Sequence, residues 1–418
     1  MRRKIILKII AAAVAVIFVF SVGFWLGINF ISIKKYVSEG NPDSLSEGSS
    51  GFLDNISSDI SDDLSEKIIE ETINLVYDDA LVKKEKQELI RAAIEGVLTS
   101  LDDKHTEYFT KEEYDQIMES YSGVMSGIGI IVTVDEDGKT VVVMPIQDTP
   151  AFRAGLKEGD IIVKVDGKEI GGMPLEKVVS LIKGQEGTKV ALTIFRPDED
   201  EEFEVNITRK KFYIPNLFSK ILEGNIAYIQ YIGFQEKGAQ RLGEEIQRLI
   251  DDGAEGIIFD LRNNLGGVLD DAVEVCDLFL DEGLIVTVRG RSGSEKSLNE
   301  YHAKKGKYTE IPMVVLINGY SASASELVAG SLKDNERAVL VGEKSFGKGT
   351  VQILRELSDG SGIKFTTAKY YLPSGISVED RGLSPDIPVK YDPDSEKDVQ
   401  LEKAIEKIKS LIEKSTSK

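Results

Sequence analysis

The sequence predicts a multidomain α+β protein in which a helical region precedes a β-rich domain and a layered α/β domain. The chain of 418 residues is too long for one ordinary hydrophobic core. Apolar residues recur at helical spacing over 64–100, and strand and helix patterns alternate from residue 224 onward. With 41% hydrophobic and 29% charged residues, the composition is globular rather than disordered.

The N-terminal segment has the composition of a membrane anchor. Basic residues at 2–4 precede an almost wholly apolar run from Ile9 to Phe30, about the length that spans a bilayer. A cleaved signal peptide is the alternative, but its apolar region is usually about 7–15 residues, and no small-x-small site follows this run. We expect residues 1–35 to be an anchor or signal, with the anchor favoured and the rest of the chain extracytoplasmic.

A linker and a helical region follow this segment. Residues 36–63 are rich in Ser, Gly, Asp and Asn, as flexible linkers are, and the helical region is expected over 64–120. Thr110 starts its last helix, because Glu113 completes a capping-box pattern. The apolar faces of these helices favour two alternatives equally: packing against their own neighbours, or self-association into a homodimer.

The segment 121–211 carries strand and turn patterns. Apolar runs on either side of Asp137-Gly138 predict a hairpin. Further strands are predicted over 161–165, 189–195 and 203–207, with a helix over 174–182. This order, together with Ala154-Gly155-Leu156, Gly159-Asp160-Ile161-Ile162 and Val165-Asp166-Gly167, resembles a PDZ domain.

The PDZ resemblance implies that peptide C-termini bind by strand addition, with backbone amides holding the terminal carboxylate. The expected carboxylate loop and opening strand are Gly127, Ile128, Gly129 and Ile130. Lys183, just beyond the helix, is either a charge partner for the bound carboxylate or a solvated surface lysine.

The rest of the chain predicts a layered α/β domain over 212–394 and a charged C-terminal helix within 395–418. A buried-type strand over 256–261 runs into Arg262-Asn263-Asn264-Leu265-Gly266-Gly267, and another over 312–317 ends before Asn318. Ligands in such folds bind at the carboxyl ends of strands, so these two ends mark the expected site.

Charge and composition exclude several kinds of function. The formal net charge of −20 is unsuited to nucleic-acid binding, which needs a basic surface. The single cysteine, Cys276, allows neither an intrachain disulfide nor a cysteine-based metal site, and its apolar surroundings predict a buried side chain. The two histidines, His105 and His302, lie outside Gly-rich or strand-end contexts, so a Ser-His-Asp triad is not expected. We expect no metal and no cofactor.

A nucleophile is expected in the run Asn318 to Glu326, which places small residues after a strand and at the start of a helix. Unpaired amides and the dipole of a helix N-terminus can hold an oxyanion. Ser321, Ser323 and Ser325 are candidates by position, and each is also suited to capping the helix. Glu326 is expected to stabilise the first helical turn.

Lys348, between two glycines, is the candidate base. A lysine accepts a proton only when neutral, so its pKa has to fall several units below about 10.4, which burial achieves. Gln352 is the candidate to hold the amine. Four extended residues span about 13 Å, so this contact requires a bend at Gly349. Lys344 is the rival base.

A phosphate-binding loop is rejected for the same region. Gly342 to Lys348 matches the first seven positions of a P-loop, but Gly349 replaces the Ser or Thr of position eight. A P-loop also starts a helix, whereas the β-branched and apolar residues over 350–354 predict a strand.

Four motifs together resemble the carboxyl-terminal processing peptidases, also called tail-specific proteases, and the likeness spans about residues 65–392. They are Asn318 to Glu326, Gly342 to Gln352, Asp260 to Gly267, and Tyr370-Tyr371-Leu372-Pro373-Ser374-Gly375. The resemblance implies a catalytic core of the crotonase/Clp-protease-like layered type. It also implies a dyad of Ser323 and Lys348 supported by Gln352, with oxyanion amides from Gly266, Gly267 and Ala324. Ile376 stands directly after the Pro373-Ser374-Gly375 turn, where many members of that family carry a polar or basic residue.

The resulting prediction is a serine endopeptidase that recognises C-terminal tails of proteins through its PDZ domain and cleaves upstream of them. Its expected partners are protein or peptide tails and, through the N-terminal segment, a membrane. The alternative is a membrane-anchored PDZ scaffold with a catalytically silent core. The presence of Ser323, Lys348 and Gln352 argues against that alternative.

Overall fold

The computed structural model describes residues 62–291, 298–395 and 397–416. The expected anchor and almost all of the expected linker, residues 1–61, lie outside the described residues. Across the described ranges, no helix combines the length and apolar character that crossing a membrane requires. The chain forms two compact units. One runs as far as Phe109 and includes Gly362–Phe365; the other comprises Thr110–Ser361 and the chain from Thr366 onward.

The first unit contains helices α1 (Asp62–Asp79) and α2 (Lys86–Thr99) and strand β1 (Glu107–Phe109). Strand β1 pairs antiparallel with residues 362–364, and Lys364 Nζ lies 2.9 Å from Glu107 Oε2. Large apolar side chains stay exposed on the helices and the turn between them. They include Ile69, Leu75, Leu81, Val82 and Val97.

The second unit begins with helix α3 (Lys111–Ser122), whose predicted capping box is confirmed. The Glu113 N–H donates to Thr110 Oγ1 at 3.3 Å, and Glu113 Oε2 accepts from the Thr110 N–H at 2.8 Å. Gly123 ends the helix with φ 67°, a left-handed conformation that glycine adopts without steric cost.

A five-stranded path of antiparallel strands forms the β-rich domain, in the order β3-β4-β5-β7-β8. Its strands are β3 (Ile130–Val134), β4 (Thr140–Pro145), β5 (Ile161–Val165), β7 (Lys189–Arg196) and β8 (Glu201–Thr208). The short strand β6 (Lys168–Glu169) pairs with β5, and β2 (Val124–Gly127) pairs with β9 (Lys210–Tyr213). Helices α4 (Pro150–Arg153) and α5 (Leu175–Ile182) complete it. Strand β3 is an edge strand, which leaves one side open to an added strand.

The largest sheet has the order β10-β11-β12-β15-β16-β19. Its strands are β10 (Leu217–Leu222), β11 (Ile226–Tyr231), β12 (Gly256–Asp260), β15 (Met313–Ile317), β16 (Val339–Gly342) and β19 (Ile387–Pro388). All neighbours from β11 to β19 pair in parallel, whereas β10 is antiparallel to β11. Strand β10 was not predicted.

Helices cover both faces of this sheet. Alternate strand residues such as Phe259 and Val315 pack in one cluster with helices α6 (Gly238–Asp251), α7 (Leu269–Phe279) and α8 (Ala324–Asp334). The intervening residues, such as Ile258 and Val314, pack against α9 (Val399–Thr416) on the other face. Strand side chains alternate between faces, so the sheet is buried on both sides. The predicted layered α/β architecture is thus confirmed.

A second sheet brings the lysine-bearing segment to this core. Its strands are β13 (Leu284–Gly290), β14 (Leu298–His302), β17 (Thr350–Glu356) and β18 (Gly362–Tyr371). Strand β13 pairs with β14 and with residues 368–371 of β18, and β17 pairs with β18. The strand predicted after Lys348 is confirmed, which agrees with rejection of a P-loop.

Candidate active site

The ends of β12 and β15 place the two predicted site segments side by side. These strands pair in parallel with Asp260 opposite Leu316, so 261–267 and 318–323 leave the sheet at the same edge. Asn318 joins them: its Nδ2 donates to Asn263 Oδ1 at 2.8 Å, and its Oδ1 accepts from the Asn263 N–H at 3.0 Å. The two loops are therefore held together by a reciprocal amide pair.

The three candidate serines differ in what their hydroxyls do. Ser321 Oγ donates to Leu261 O at 2.8 Å and accepts from the Asn318 N–H at 2.9 Å. Ser325 Oγ donates to Asn264 O at 2.8 Å. Both of these side chains are fully buried, whereas Ser323 is only partly buried. Ser321 and Ser325 thus fix the loops to each other, and Ser323 is the one of the three that is partly exposed.

Ser323 has an unusual backbone conformation. It precedes α8 with φ 55° and ψ −114°, the values of the first central residue of a type II′ turn, which glycine normally occupies. A non-glycine residue held in a sparsely populated region costs about 1–3 kcal/mol. The surrounding contacts have to supply that energy.

Gly266 packs directly against Ser323 and its neighbours, and Gly267 packs against Phe234. A Cβ added to Gly266 would lie 3.0 Å from both Ser323 Cβ and Ala324 N, and one added to Gly267 would lie 2.0 Å from Phe234 O. Both glycines have positive φ, 105° and 144°. Only glycine can hold the backbone this close to the serine at 266 and to Phe234 at 267.

The amides around Ser323 are not equivalent. The Gly266 N–H donates to Asn264 Oδ1 at 2.9 Å. The Gly267 and Ala324 N–H groups donate to no acceptor in the described part of the chain. Of the three predicted oxyanion donors, Gly267 and Ala324 therefore present amides, while Gly266 contributes close packing.

Glu326 ties the serine segment to the lysine segment. Its Oε2 accepts from the backbone N–H groups of both Ser323, at 2.9 Å, and Lys348, at 2.8 Å. Its Oε1 accepts from the Gly347 N–H at 2.7 Å and from Ser345 Oγ at 2.5 Å. Because one oxygen atom receives both N–H groups, Ser323 and Lys348 are backbone neighbours although they are 25 positions apart in the chain.

The environment of Glu326 acts on its protonation in two directions. The carboxylate is fully buried, and this burial raises its pKa above the ordinary value. The four hydrogen-bond donors oppose the rise, since each favours the ionised form. Sequence reasoning assigned Glu326 only to the first turn of α8; the bonds to Gly347 and Lys348 were missed.

The lysine segment differs in detail from expectation. The left-handed residue is Gly347, with φ 99°, whereas Gly349 is not among the residues with positive φ. Gly349 is needed for packing instead, because an added Cβ would lie 2.7 Å from Glu379 N. Lys348 is partly buried and the rival Lys344 is exposed.

Gln352 lies in β17, with its side-chain amide fixed by two threonines. Its Nε2 donates to Thr350 Oγ1 at 2.8 Å and to Thr366 Oγ1 at 3.2 Å. Both N–H groups of the amide are therefore engaged. Support of Lys348 by Gln352 stays a prediction.

Comparison with known proteins decides the family. A model described as Peptidase family S41 matches residues 225–389, and a PDZ domain model matches residues 141–196. The carboxy-terminal-processing protease of Bartonella bacilliformis is 42% identical over 311 residues, which are 73% of this chain and 70% of that protein. The chain belongs to peptidase family S41.

Other relatives of this S41 peptidase agree. The carboxy-terminal processing protease CtpA of Bacillus subtilis is 35% identical over 322 residues, 76% of this chain and 68% of that protein. The solved structure of a candidate S41 protease from Bacteroides fragilis shares the fold, with a TM-score of 0.51, 16% identity and coverage of 85% of this chain and 98% of that one. The chain is a serine-type carboxy-terminal processing protease with a PDZ domain, and the relatives favour this function over a silent scaffold.

The predicted carboxylate loop of the S41 peptidase lies between β2 and β3. Gly127 ends β2, Ile128 is buried and Ile130 starts the edge strand β3. The N–H groups of Ile128 and Gly129 donate to no acceptor among the described residues. Lys183 Nζ lies 3.4 Å from Glu119 Oε2, so in this structure its partner is a carboxylate of α3.

Asp260 and Arg262 hold the start of the glycine turn, the structural role that their strand-end position suggests. Arg262 Nη2 lies 2.7 Å from both Asp260 Oδ2 and Asp398 Oδ2, just before α9, and Tyr228 donates to Asp260 Oδ2 at 2.7 Å. Burial acts to lower the pKa of Arg262, but the two carboxylates outweigh it and raise that pKa.

Within the described ranges, no cluster of His, Cys, Asp or Glu is arranged to hold a metal ion.

Asn264 has a structural role in the site that sequence reasoning missed. It is fully buried, and its Nδ2 donates to Tyr231 O at 2.7 Å while its Oδ1 fixes the Gly266 N–H. Its backbone oxygen accepts from the Ala322 N–H at 3.0 Å and from Ser325 Oγ. The repeated asparagines before a Gly-Gly pair were the available signal, but the partners are distant in sequence.

Proposed function

We propose that this S41 peptidase is a membrane-anchored, extracytoplasmic endopeptidase in which Ser323 is the nucleophile and Lys348 the base. The observation that carries the proposal is the shared Glu326 Oε2, which makes the two residues backbone neighbours at the N-terminus of α8. The engagement of the Ser321 and Ser325 hydroxyls and the exposure of Lys344 support this choice.

Acylation follows from these roles. Ser323 Oγ bonds to the carbonyl carbon of the scissile peptide while its proton passes to the neutral Nζ of Lys348. The carbonyl oxygen becomes an oxyanion and accepts hydrogen bonds from the Gly267 and Ala324 N–H groups. Lys348 then returns the proton to the leaving amine, the C–N bond breaks, and an ester on Ser323 remains.

Deacylation reverses the proton path. A water molecule attacks the ester carbonyl as Lys348 takes its proton, and the proton returns to Ser323 Oγ when the acyl bond breaks. Gln352 orients the amine through Oε1, because its Nε2 already donates to Thr350 and Thr366. An amide does this without adding charge that would stabilise the protonated lysine.

Substrates are selected by the PDZ domain. The terminal carboxylate of a protein tail accepts hydrogen bonds from the Ile128 and Gly129 N–H groups, and the last residues of that tail add a strand to the edge of the sheet at β3. Lys183 contributes positive charge beside this site while it pairs with Glu119. A carboxylate-specific receptor favours C-terminal tails over internal segments.

The proposal extends to the type of catalytic core, the membrane anchor and the oligomeric state. The sheet order and the helices on both faces support a core of the crotonase/Clp-protease-like type. Residues 1–35 supply the anchor. Exposed apolar residues of α1, α2 and the turn between them, including Ile69, Leu81 and Val97, favour a homodimer through the helical region.

The test replaces each member of the dyad. Ser323→Ala and Lys348→Ala are expected to lower kcat on an unfolded reporter with an apolar C-terminal tail by about 10³-fold or more. Lys344→Ala is the matched lysine control and is expected to retain activity. A fluorophosphonate is expected to label Ser323 in the unsubstituted enzyme. Full activity in either dyad variant, or loss confined to Lys344→Ala, would contradict the assignment, and absence of both cleavage and label would favour the scaffold.

A further inference from the structure

Tyr370 is a buried tyrosine that contacts both halves of the dyad. It lies in β18 with 2% of its surface exposed. Its hydroxyl is 3.1 Å from the backbone oxygen of Ser323 and 2.9 Å from that of Lys348. Its own N–H donates to Gly349 O at 2.9 Å. Its side chain therefore touches the nucleophile-bearing residue and the base-bearing residue, and its backbone holds the glycine that follows the latter.

The contacts of Tyr370 complement those of Glu326. The carboxylate of Glu326 receives the N–H groups of Ser323 and Lys348, and the phenol of Tyr370 meets their C=O groups. An acceptor and a donor thus hold the two ends of each residue. Together, Glu326 and Tyr370 fix the backbone positions of Ser323 and Lys348. Hydrogen bonds from only one of these two side chains would leave both backbones free to shift.

We propose that Tyr370 is a positioning residue that keeps Ser323 and Lys348 in register for proton transfer. The proposal rests on the proposed function of these two residues. Tyr370 does not touch the reacting atoms; it acts through the backbone of the residues that carry them. Proton transfer needs donor and acceptor atoms within about 2.6–3.2 Å, and a shift of 1 Å can lower the rate about 100-fold.

The environment of Tyr370 suits a permanent donor. Burial, followed by the nearby Glu326 carboxylate, raises the pKa of the phenol well above its ordinary value, so the hydroxyl keeps its proton. A phenol has one proton, so Tyr370 either shares it between the Ser323 and Lys348 carbonyl oxygens or donates it to each in turn. Either arrangement requires both oxygens to stay within hydrogen-bond distance of the hydroxyl. The left-handed Ser323 gains most from this restraint, because its conformation is unfavourable without outside contacts.

The test is Tyr370→Phe with Tyr308→Phe as matched control. Tyr308 is 5% exposed, lies in the same hydrophobic cluster, and its hydroxyl donates to a backbone carbonyl, Gly243 O, at 2.6 Å. Both variants lose a phenol bonded to backbone carbonyl oxygen, and both are expected to unfold at a lower temperature. Only Tyr370→Phe is expected to lower kcat, by about 10–100-fold, with KM changed by less than about twofold.

A second readout needs no peptide substrate. The rate at which a fluorophosphonate labels Ser323 is expected to fall in Tyr370→Phe in proportion to kcat and to stay unchanged in Tyr308→Phe. When kcat is calculated per fluorophosphonate-labelled site, unfolded protein that carries no label does not lower the value. Replacement of Tyr370 by 4-aminophenylalanine keeps an N–H donor at the same place and is expected to restore most of the lost rate.

The outcomes separate this inference from the proposed function. Absence of both cleavage and Ser323 labelling in the unsubstituted enzyme would overturn the dyad itself. Normal labelling there, with equal rates in Tyr370→Phe and Tyr308→Phe, would overturn only the positioning role. That role would also be overturned if the rate stayed low with 4-aminophenylalanine, or if Tyr370→Phe raised KM and left kcat unchanged.

Discussion

Substitution of Gly266 by alanine separates backbone strain from damage to the active site. A Cβ at this position would lie 2.8 Å from Ala322 O and 3.0 Å from both Ala324 N and Ser323 Cβ. Real Cβ atoms essentially never approach other atoms to under 3.0 Å, so the serine turn or the glycine turn has to move. The positive φ of 105° adds the cost of a left-handed alanine, about 1–2 kcal/mol.

Gly253→Ala is the matched control. Gly253 has φ 98°, so alanine there pays a similar conformational cost, but nothing lies within 4 Å of the added Cβ. A loss of about 1–2 kcal/mol lowers the unfolding temperature by a few degrees in a unit of this size. Both variants are expected to show at least that shift by calorimetry.

Activity is expected to distinguish the two variants. In Gly266→Ala the displaced turn is expected to misplace Gly267 and Ala324, the proposed oxyanion donors, and loss of one such donor lowers kcat by about 10²–10³-fold. Gly253→Ala is expected to keep the kcat of the unsubstituted enzyme, measured on the tailed reporter below both unfolding temperatures. Equal kcat in the two variants would refute the claim that Gly266 must be glycine because it packs against the serine.

Two further predictions concern the buried thiol and the peptide site. Burial raises the pKa of Cys276 to about 12, so native protein at pH 8 is expected to resist Ellman's reagent until it unfolds. The same shift in pKa lowers the stability of the native state as pH rises from about 9 toward 12, because the thiol of the unfolded chain ionises first. Rapid reaction of the folded protein would contradict burial. Gly129→Ala places a Cβ 2.3 Å from Thr149 Cβ, so affinity for a labelled tail peptide, measured by fluorescence anisotropy in the Ser323→Ala background, is expected to fall about tenfold or more. Gly138→Ala, with φ 78° and nothing within 4 Å, is the control, and equal affinities would place the carboxylate elsewhere.

Local patterns predicted the regular elements well. The capping box at Thr110 and the strand and helix on either side of the serine run lie within a few residues of their expected positions. Strand β10 was missed because its antiparallel pairing with β11 depends on the fold of the whole domain. The short strand β19 was missed for the same reason, since it joins the sheet only through β16.

The contacts that complete the site were harder to predict than its residues. Glu326 was visible as a helix-cap residue, but its bond to Lys348 bridges 22 positions. Tyr370 meets Ser323 across 47 positions, and no pattern around either residue announces that contact. A bend is predicted at Gly349, but the left-handed residue is Gly347. The glycine at 349 is explained by crowding, since an added Cβ would lie 2.7 Å from Glu379 N. Spacing along the chain identifies candidates, whereas their partners depend on how loops pack.

The backbone of Ser323 also bears on how such a chain changes over evolutionary time. Its φ and ψ suit glycine, so serine there carries a standing penalty of about 1–3 kcal/mol in a fold of marginal stability. A descendant released from cutting peptides would become more stable by exchanging this serine for glycine, a change open to chance mutation. Under the proposed role of Ser323, the serine at this position serves the reaction through its hydroxyl group and lowers the stability of the fold.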